Sequence, residues 1–376
     1  MANRYWVNNG GNWSDTSHWS TTSGGSGGAS KPTSADNVYF DANSFTAEGQ
    51  TVTINETAYC KNMDWTGATN SPTLAGSSSL NCYGSLKFIF AMGFTWTGTV
   101  YFYGSGTGKT ITTAGKIFNA YFSGTGAEWI LQDDLNCTGK NFSFYYGTIR
   151  CNGKNITCKY YSGSGTGNRT LDLGTSTLTC TGDWNCMDGT NFTVIGGAIV
   201  MTGDGATFDG GTVTYDTVDL QGNNITIKGS NTFTQLKTNT GNTVKVTAGT
   251  AQSVGSLAID GTSGNLTTIQ STKAGNPFIL RGTSANITVN YCNIKDCVTA
   301  SGASYKAFNS VDSGGNNGWV FVISTGFGFT FNGHHCSEFG IVMRSKNRQL
   351  LPETNDSYVQ VPGRQGSILF PRELAD

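Results

Sequence analysis

Charge is scarce in this chain: only 12% of its 376 residues are Asp, Glu, Lys or Arg, and the formal net charge is −1. That is about half the charged share of an ordinary soluble domain, and a surface so nearly neutral offers no basic footprint for nucleic acid. No run of about 18 apolar residues exists, so membrane insertion is not expected. The first residues, Met1 to Trp6, lack a basic stretch followed by an apolar one, so the expectation is a protein made in the cytoplasm without a signal peptide. Histidine occurs three times. That is too few for a zinc site at Cys180 and Cys186 or at Cys292 and Cys297, neither of which has a paired Cys-x-x-Cys partner. No helical periodicity is sustained before residue 330, and proline occurs only six times.

Glycine is abundant instead, with 52 residues, about twice the usual share, and Thr, Ser and Asn fill the place of charge. Such a composition borders on disorder. The 37% hydrophobic and 12% aromatic content, recurring in β-branched runs, excludes it. Ten cysteines would mean disulfides in a small secreted domain. In a long chain with no visible export signal they read as reduced thiols acting as small core hydrophobes.

The order within the chain comes from a repeat. Cys137, Cys158, Cys180, Met201 and Leu220 follow one another at a nearly constant interval. Four of them open the same pattern, with glycine two positions on at Gly139, Gly182, Gly203 and Gly222. Cys60, Cys82, Phe102 and Phe122 recur at the same interval, and Gly84, Gly104 and Gly124 follow three of them. The phrase Gly-Ser-Gly-Thr-Gly occurs at 104–108 and again at 163–167. The period, about 21 residues, predicts an all-β fold, a parallel β-helix whose coils stack about 4.8 Å apart, like residue on like residue. Glycine then supplies the corners. Alternation of apolar and polar residues at 212–220, 224–228 and 243–247 agrees. The expected domains are a cap over 1–49, a solenoid over 50–320 and an assembly segment over 327–376. Past residue 230 the ladder blurs, and an array of β-sandwiches is the alternative there.

Solenoid ends need covering, because an open terminal coil pairs with other chains. Trp6, Trp13 and Trp19, followed by the segment 32–45, resemble the N-terminal cap of bacterial and phage β-helix proteins. A sugar-binding aromatic platform is the other reading of these tryptophans. Near the far end, residues 312–318 are turn-rich, and Trp319 is expected to plug the core.

Toward the C-terminus charged residues become more frequent, so composition shifts there, and at least three strands are expected with turns at Asn332-Gly333 and Pro362-Gly363. In order and spacing, Phe331-Asn332-Gly333, Ser337-Glu338-Phe339-Gly340-Ile341, Leu351-Pro352 and Val361-Pro362-Gly363-Arg364-Gln365-Gly366 resemble the opening of the siphovirus-type tail component, or distal tail protein, family. The match covers only this last part of the chain. The resemblance implies a bacteriophage virion protein of the tail. It would be made in the host cytoplasm and joined to other tail proteins or to copies of itself, as a homo-oligomer, through residues 327–376.

Several motifs are decoys. Gly104 to Thr110 lacks the first glycine of a phosphate loop and no helix follows. Asp133 and Asp134 are adjacent, so in a strand they point to opposite faces. Asp183 with Asp188, and Asp204 with Asp209, sit among glycines where Asp serves turns. His334 and His335 likewise alternate and read as packing. Glutamate is sparse, and Glu128 alone lies inside the clear repeat. No catalytic residue, metal or cofactor is expected. The leading expectation is a rod-like structural or display component of a tail or tail tip, and not an enzyme. The alternatives are an adhesin for host glycans and a polysaccharide depolymerase. For glycan contact the candidates are Tyr101, Tyr103, Tyr121, Tyr145 and Tyr160, within a cluster that also holds Tyr146 and Tyr161. Such tyrosines would equally suit burial between the chains of an oligomer.

Overall fold

The structure, a computed structural model, describes residues 2–163, 165–186, 189–300 and 302–325, together with the backbone of five later strands, Phe329–Phe331, His334–Cys336, Phe339–Arg344, Tyr358–Gln360 and Ser367–Leu369. Two compact units result, Met1–Arg344 and Ser345–Asp376.

The first unit is a parallel β-solenoid of about 13 turns with about 21 residues per turn. Its register is the one the sequence spacing predicts. Cys60 pairs with Cys82, Cys82 with Phe102, Phe102 with Phe122 and Phe122 with Phe144. A second ladder carries Cys137 onto Cys158, Cys180, Met201 and Leu220 in turn. The side chains of both ladders are buried. Stacking follows from the coil rise: the Phe102 and Phe122 rings lie 4.5 Å apart and nearly parallel, close to the strand spacing itself. Each buried Phe contributes about 1.5–3 kcal/mol by removal of its surface from water. The nine cysteines among the described residues are all buried free thiols.

Corners are held by Asp and Asn side chains reaching from coil to coil. Thr113 and Ala114 donate backbone N–H groups to the two carboxylate oxygens of Asp133, and Asn155 donates to Asp134. Thr207 donates to Asp183 and Asn223 to Asp204 in the same manner, at 2.7 and 2.8 Å. Glycine is required where coils crowd. Gly104 has φ +113°, and a Cβ there would collide with the Tyr83 carbonyl oxygen.

The solenoid continues past residue 230, and the sandwich alternative is overturned. Strand pairing from Thr214 through Asp312 is parallel and coil on coil. The ladder blurs in sequence because coil lengths diverge. Val218 pairs with Leu236, Val246 with Ser271 and Val254 with Gly282, so the step along the chain from one coil to the next first shortens and then lengthens. The extra residues lie in connections outside the strands, at 259–266 and 272–277.

At the N-terminus, Asn3–Tyr5 runs parallel to Asn37–Tyr39, and Tyr5 and Trp6 pair antiparallel with Ser20 and Trp19. Trp6, Trp13 and Trp19 are fully buried. The Trp19 ring meets Trp13 and Trp6 edge-on at 4.7 and 5.0 Å, and the stack continues through Phe40 to Trp65. These rings plug the first coil, and their burial removes the sugar-platform reading. Toward the other end, Trp319 is buried against Tyr305, and its indole N–H donates to the Cys297 sulfur at 3.3 Å. Val320–Thr325, the last parallel strand among the described residues, is then paired with Phe339–Arg344, which runs antiparallel to it.

In the remaining backbone, Phe329–Phe331 pairs antiparallel with His334–Cys336, with residues 332 and 333 between them. Within the second unit, Tyr358–Gln360 pairs antiparallel with Ser367–Leu369. Among the described residues no helix is long and apolar enough to cross a membrane.

Candidate functional site

In a strand that lines the core on one face, every second side chain must point outward. On the face that carries Phe102 and Phe122 inward, those outward positions hold tyrosine. Tyr101 and Tyr121 occupy the same register in adjacent coils, with ring centroids 5.0 Å apart. Tyr103 stacks on Tyr101 at 5.7 Å, Tyr83 lies 5.7 Å from Tyr103, and Tyr145 lies 5.0 Å from Tyr121. The Tyr145 hydroxyl is 3.1 Å from the Ser162 hydroxyl, which fixes that ring. The result is a row of half-buried rings over successive coils, about 15 Å along the solenoid at one strand spacing per coil. Burial, and after it the neighbouring phenols, pushes Tyr103 and Tyr121 above the ordinary tyrosine range.

Of the tyrosines singled out from sequence, Tyr101, Tyr103, Tyr121 and Tyr145 come together in this row. Tyr160 stands apart, exposed, with the Lys159 ammonium over its ring at 4.9 Å. Tyr161 belongs to the core, stacked on Trp184 at 3.7 Å. Tyr83 joins the row unpredicted, although its place just after the ladder position Cys82 matches that of Tyr103 after Phe102.

Beside the row, at the corner leading into the next strands, the coils leave an open groove of about 550 Å³ bounded by residues 125–128, 146–148 and 166–168 with Thr107 and Thr170. Gly-Thr pairs recur at 106–107, 124–125, 147–148 and 165–166, and that recurrence is the signal that could have found the groove. Along its edge Glu128, Arg150 and Asp172 sit on successive coils. Arg150 donates from Nε to Glu128 at 2.7 Å and from Nη1 to Asp172 at 2.9 Å. One guanidinium thus spans two carboxylates, a network across coils and not a pair of carboxyl groups facing each other over a gap.

No family model, curated protein or solved structure matches this chain.

Lys109, at the phosphate-loop look-alike, is buried in a strand with its ammonium donating to the Ser105 and Gly106 carbonyls and facing the Trp129 ring at 5.8 Å. Asp183 and Asp204 hold separate coil corners, as above, and Asp188 lies outside the described residues. Among the described residues no cluster of three metal-capable side chains forms. Of the suspected assembly residues, Phe331, Phe339 and Gly340 lie in strands described by backbone alone. Asn332, Gly333, Leu351, Pro352, Val361, Pro362, Gly363, Arg364 and Gly366 lie outside the described residues.

Proposed function

We propose that this chain is a non-enzymatic, rod-like display and attachment protein whose solenoid holds an aromatic face against a host-surface glycan, as a component of a bacteriophage tail or tail tip. The observation that carries the reading is the row of tyrosines. Half-buried aromatic rings packed against the coil lose little freedom on contact, and they present apolar faces with a polar rim. A row of them along a flat strand face suits an extended ligand of alternating C–H faces and hydroxyls, which is the surface of a polysaccharide chain. The tail setting is supported by the sequence resemblance over residues 331–366.

The test is binding of host-surface polysaccharide to the full chain and to a Tyr101→Ala/Tyr121→Ala variant. Removing two central rings should weaken binding by about tenfold or more, since each aromatic contact is worth about 0.5–1.5 kcal/mol beyond its buried area. Undiminished binding, or release of new reducing ends from the polysaccharide, would overturn the proposal.

A further inference from the structure

The groove beside the tyrosine row is chemically unlike the row itself. It is lined by hydroxyls and one charge. Thr107, Thr125, Thr148 and Thr170 line it together with Asn168, and Tyr146, 38% exposed, is part of its wall. None of these four threonines, nor the Asn168 amide, is engaged in a side-chain hydrogen bond within the described residues. They are therefore open to a ligand. Tyr146 is seated by Gly167, where a Cβ would run into the ring, so the wall is built by a close approach and is not a loose side chain.

Glu128 is the charge at the groove. Its side chain is only 16% exposed, and among the described residues its hydrogen-bond partner is Arg150, through Oε2. Arg150 is itself divided between Glu128 and Asp172, so its charge is already matched by two carboxylates. A ligand entering the groove meets an acceptor carboxylate, neutral hydroxyls that donate or accept, and an aromatic face. It meets no cation free to balance an anion among the residues that line the groove. An uncharged polyol satisfies all of these, because adjacent hydroxyls donate to a carboxylate while the ring C–H face lies on tyrosine. An acidic sugar would place like charge against Glu128.

The geometry points to this groove as a specificity subsite for an uncharged saccharide of about two or three rings, by its volume, with Glu128 as the hydroxyl acceptor, Tyr146 as the stacking wall and Arg150 as the positioning residue. The inference takes its ligand class from the proposed role of the tyrosine row, but it rests on different residues.

Binding of a panel of neutral trisaccharides (cellotriose, maltotriose, tri-N-acetylchitotriose) and of trigalacturonate to the full chain, followed by saturation-transfer NMR and titration, tests it. At least one neutral member should bind better than trigalacturonate. Glu128→Gln and Tyr146→Ala should each weaken it about tenfold, as expected for loss of a charge-assisted hydrogen bond or a stacked ring, with the thermal midpoint unchanged. Tyr101→Ala/Tyr121→Ala should leave the trisaccharide affinity intact while weakening long polysaccharide. A preference for trigalacturonate, or affinity indifferent to Glu128→Gln and Tyr146→Ala, overturns the subsite and leaves the tyrosine row standing. Loss only in the tyrosine double variant has the same meaning. If neither polysaccharide nor any trisaccharide binds, both proposals fall.

Discussion

Raising the pH should weaken this solenoid from within. Burial pushes the thiols of Cys137, Cys151, Cys292 and Cys297 up to about 12 from an ordinary value of 9.0. For Cys292 the carboxylate of Asp260 adds to the shift, and for Cys297 the indole of Trp319 opposes it. In the folded coil such a thiol stays neutral at a pH where the unfolded chain ionises it, so the unfolded state binds fewer protons. The associated stability is whole below about pH 9 and is lost as the pH rises from about 9 toward about 12. One pKa unit corresponds to about 1.4 kcal/mol. At pH 10 each thiol therefore forfeits about 1.4 kcal/mol and the four together about 5–6 kcal/mol, comparable to the whole margin of a typical domain. Because stacked coils unfold as neighbouring units and not all at once, the loss should appear first around residues 131–151 and 278–297, where these thiols sit. Denaturant melts in reducing buffer from about pH 7.5 to about pH 10.5, read by hydrogen exchange, give the magnitude and the place. A Cys137→Ala/Cys151→Ala variant should be less stable near neutral pH but show a flatter decline as the pH rises. The reasoning fails if the midpoint is constant between about pH 8 and about pH 10, or if a thiol reagent labels the described cysteines within seconds in the native protein at mildly alkaline pH.

Three further outcomes follow from the same contacts. Phe102→Ala removes a ring stacked 4.5 Å from Phe122 and edge-on to Trp129. A loss of about 3–5 kcal/mol is expected, read as proteolytic opening of the coils between residues 82 and 131, and wild-type resistance there would contradict the packing. Trp19→Ala should open the first coil and raise self-association measured by sedimentation, since its removal exposes an edge; a monodisperse, equally stable variant would show that Trp6 and Trp13 suffice. Arg150→Ala should cost less than about 1 kcal/mol, because its guanidinium is half exposed and screened, and a larger drop in the urea midpoint would mean the network carries the coils.

Much of the fold was legible because the core repeats chemically as well as geometrically. Cys137, Cys158 and Cys180 pair with one another in the structure at the spacing that reveals them in the sequence. The tryptophans were legible as a cap for a similar reason, since three large rings so close together along the chain have few places to be buried outside a solenoid end. Legibility faded past residue 230 because the strands kept their register while the connections at 259–266 and 272–277 lengthened, and a period counted along the chain cannot separate the two. The tyrosine row was half visible: alternation places Tyr101 and Tyr121 outward, but the local irregularity after Phe122 moves Tyr145 into the row, while Tyr160 falls beside Lys159. The groove was hidden because its threonines and glycines look like turn residues one coil at a time. Only when successive coils are overlaid do the Gly-Thr corners become one surface.

Register of this kind has a consequence for how such a chain changes over time. Since Phe102 meets Phe122 as Cys158 meets Cys180, a duplicated or deleted coil would find the same neighbours above and below it. Length is then a variable separable from stability: adding one coil of about 21 residues moves everything beyond it by about one strand spacing and leaves both ends as they were. The solenoid behaves as a ruler marked in tandem units, on which the tyrosine row and the groove occupy fixed graduations.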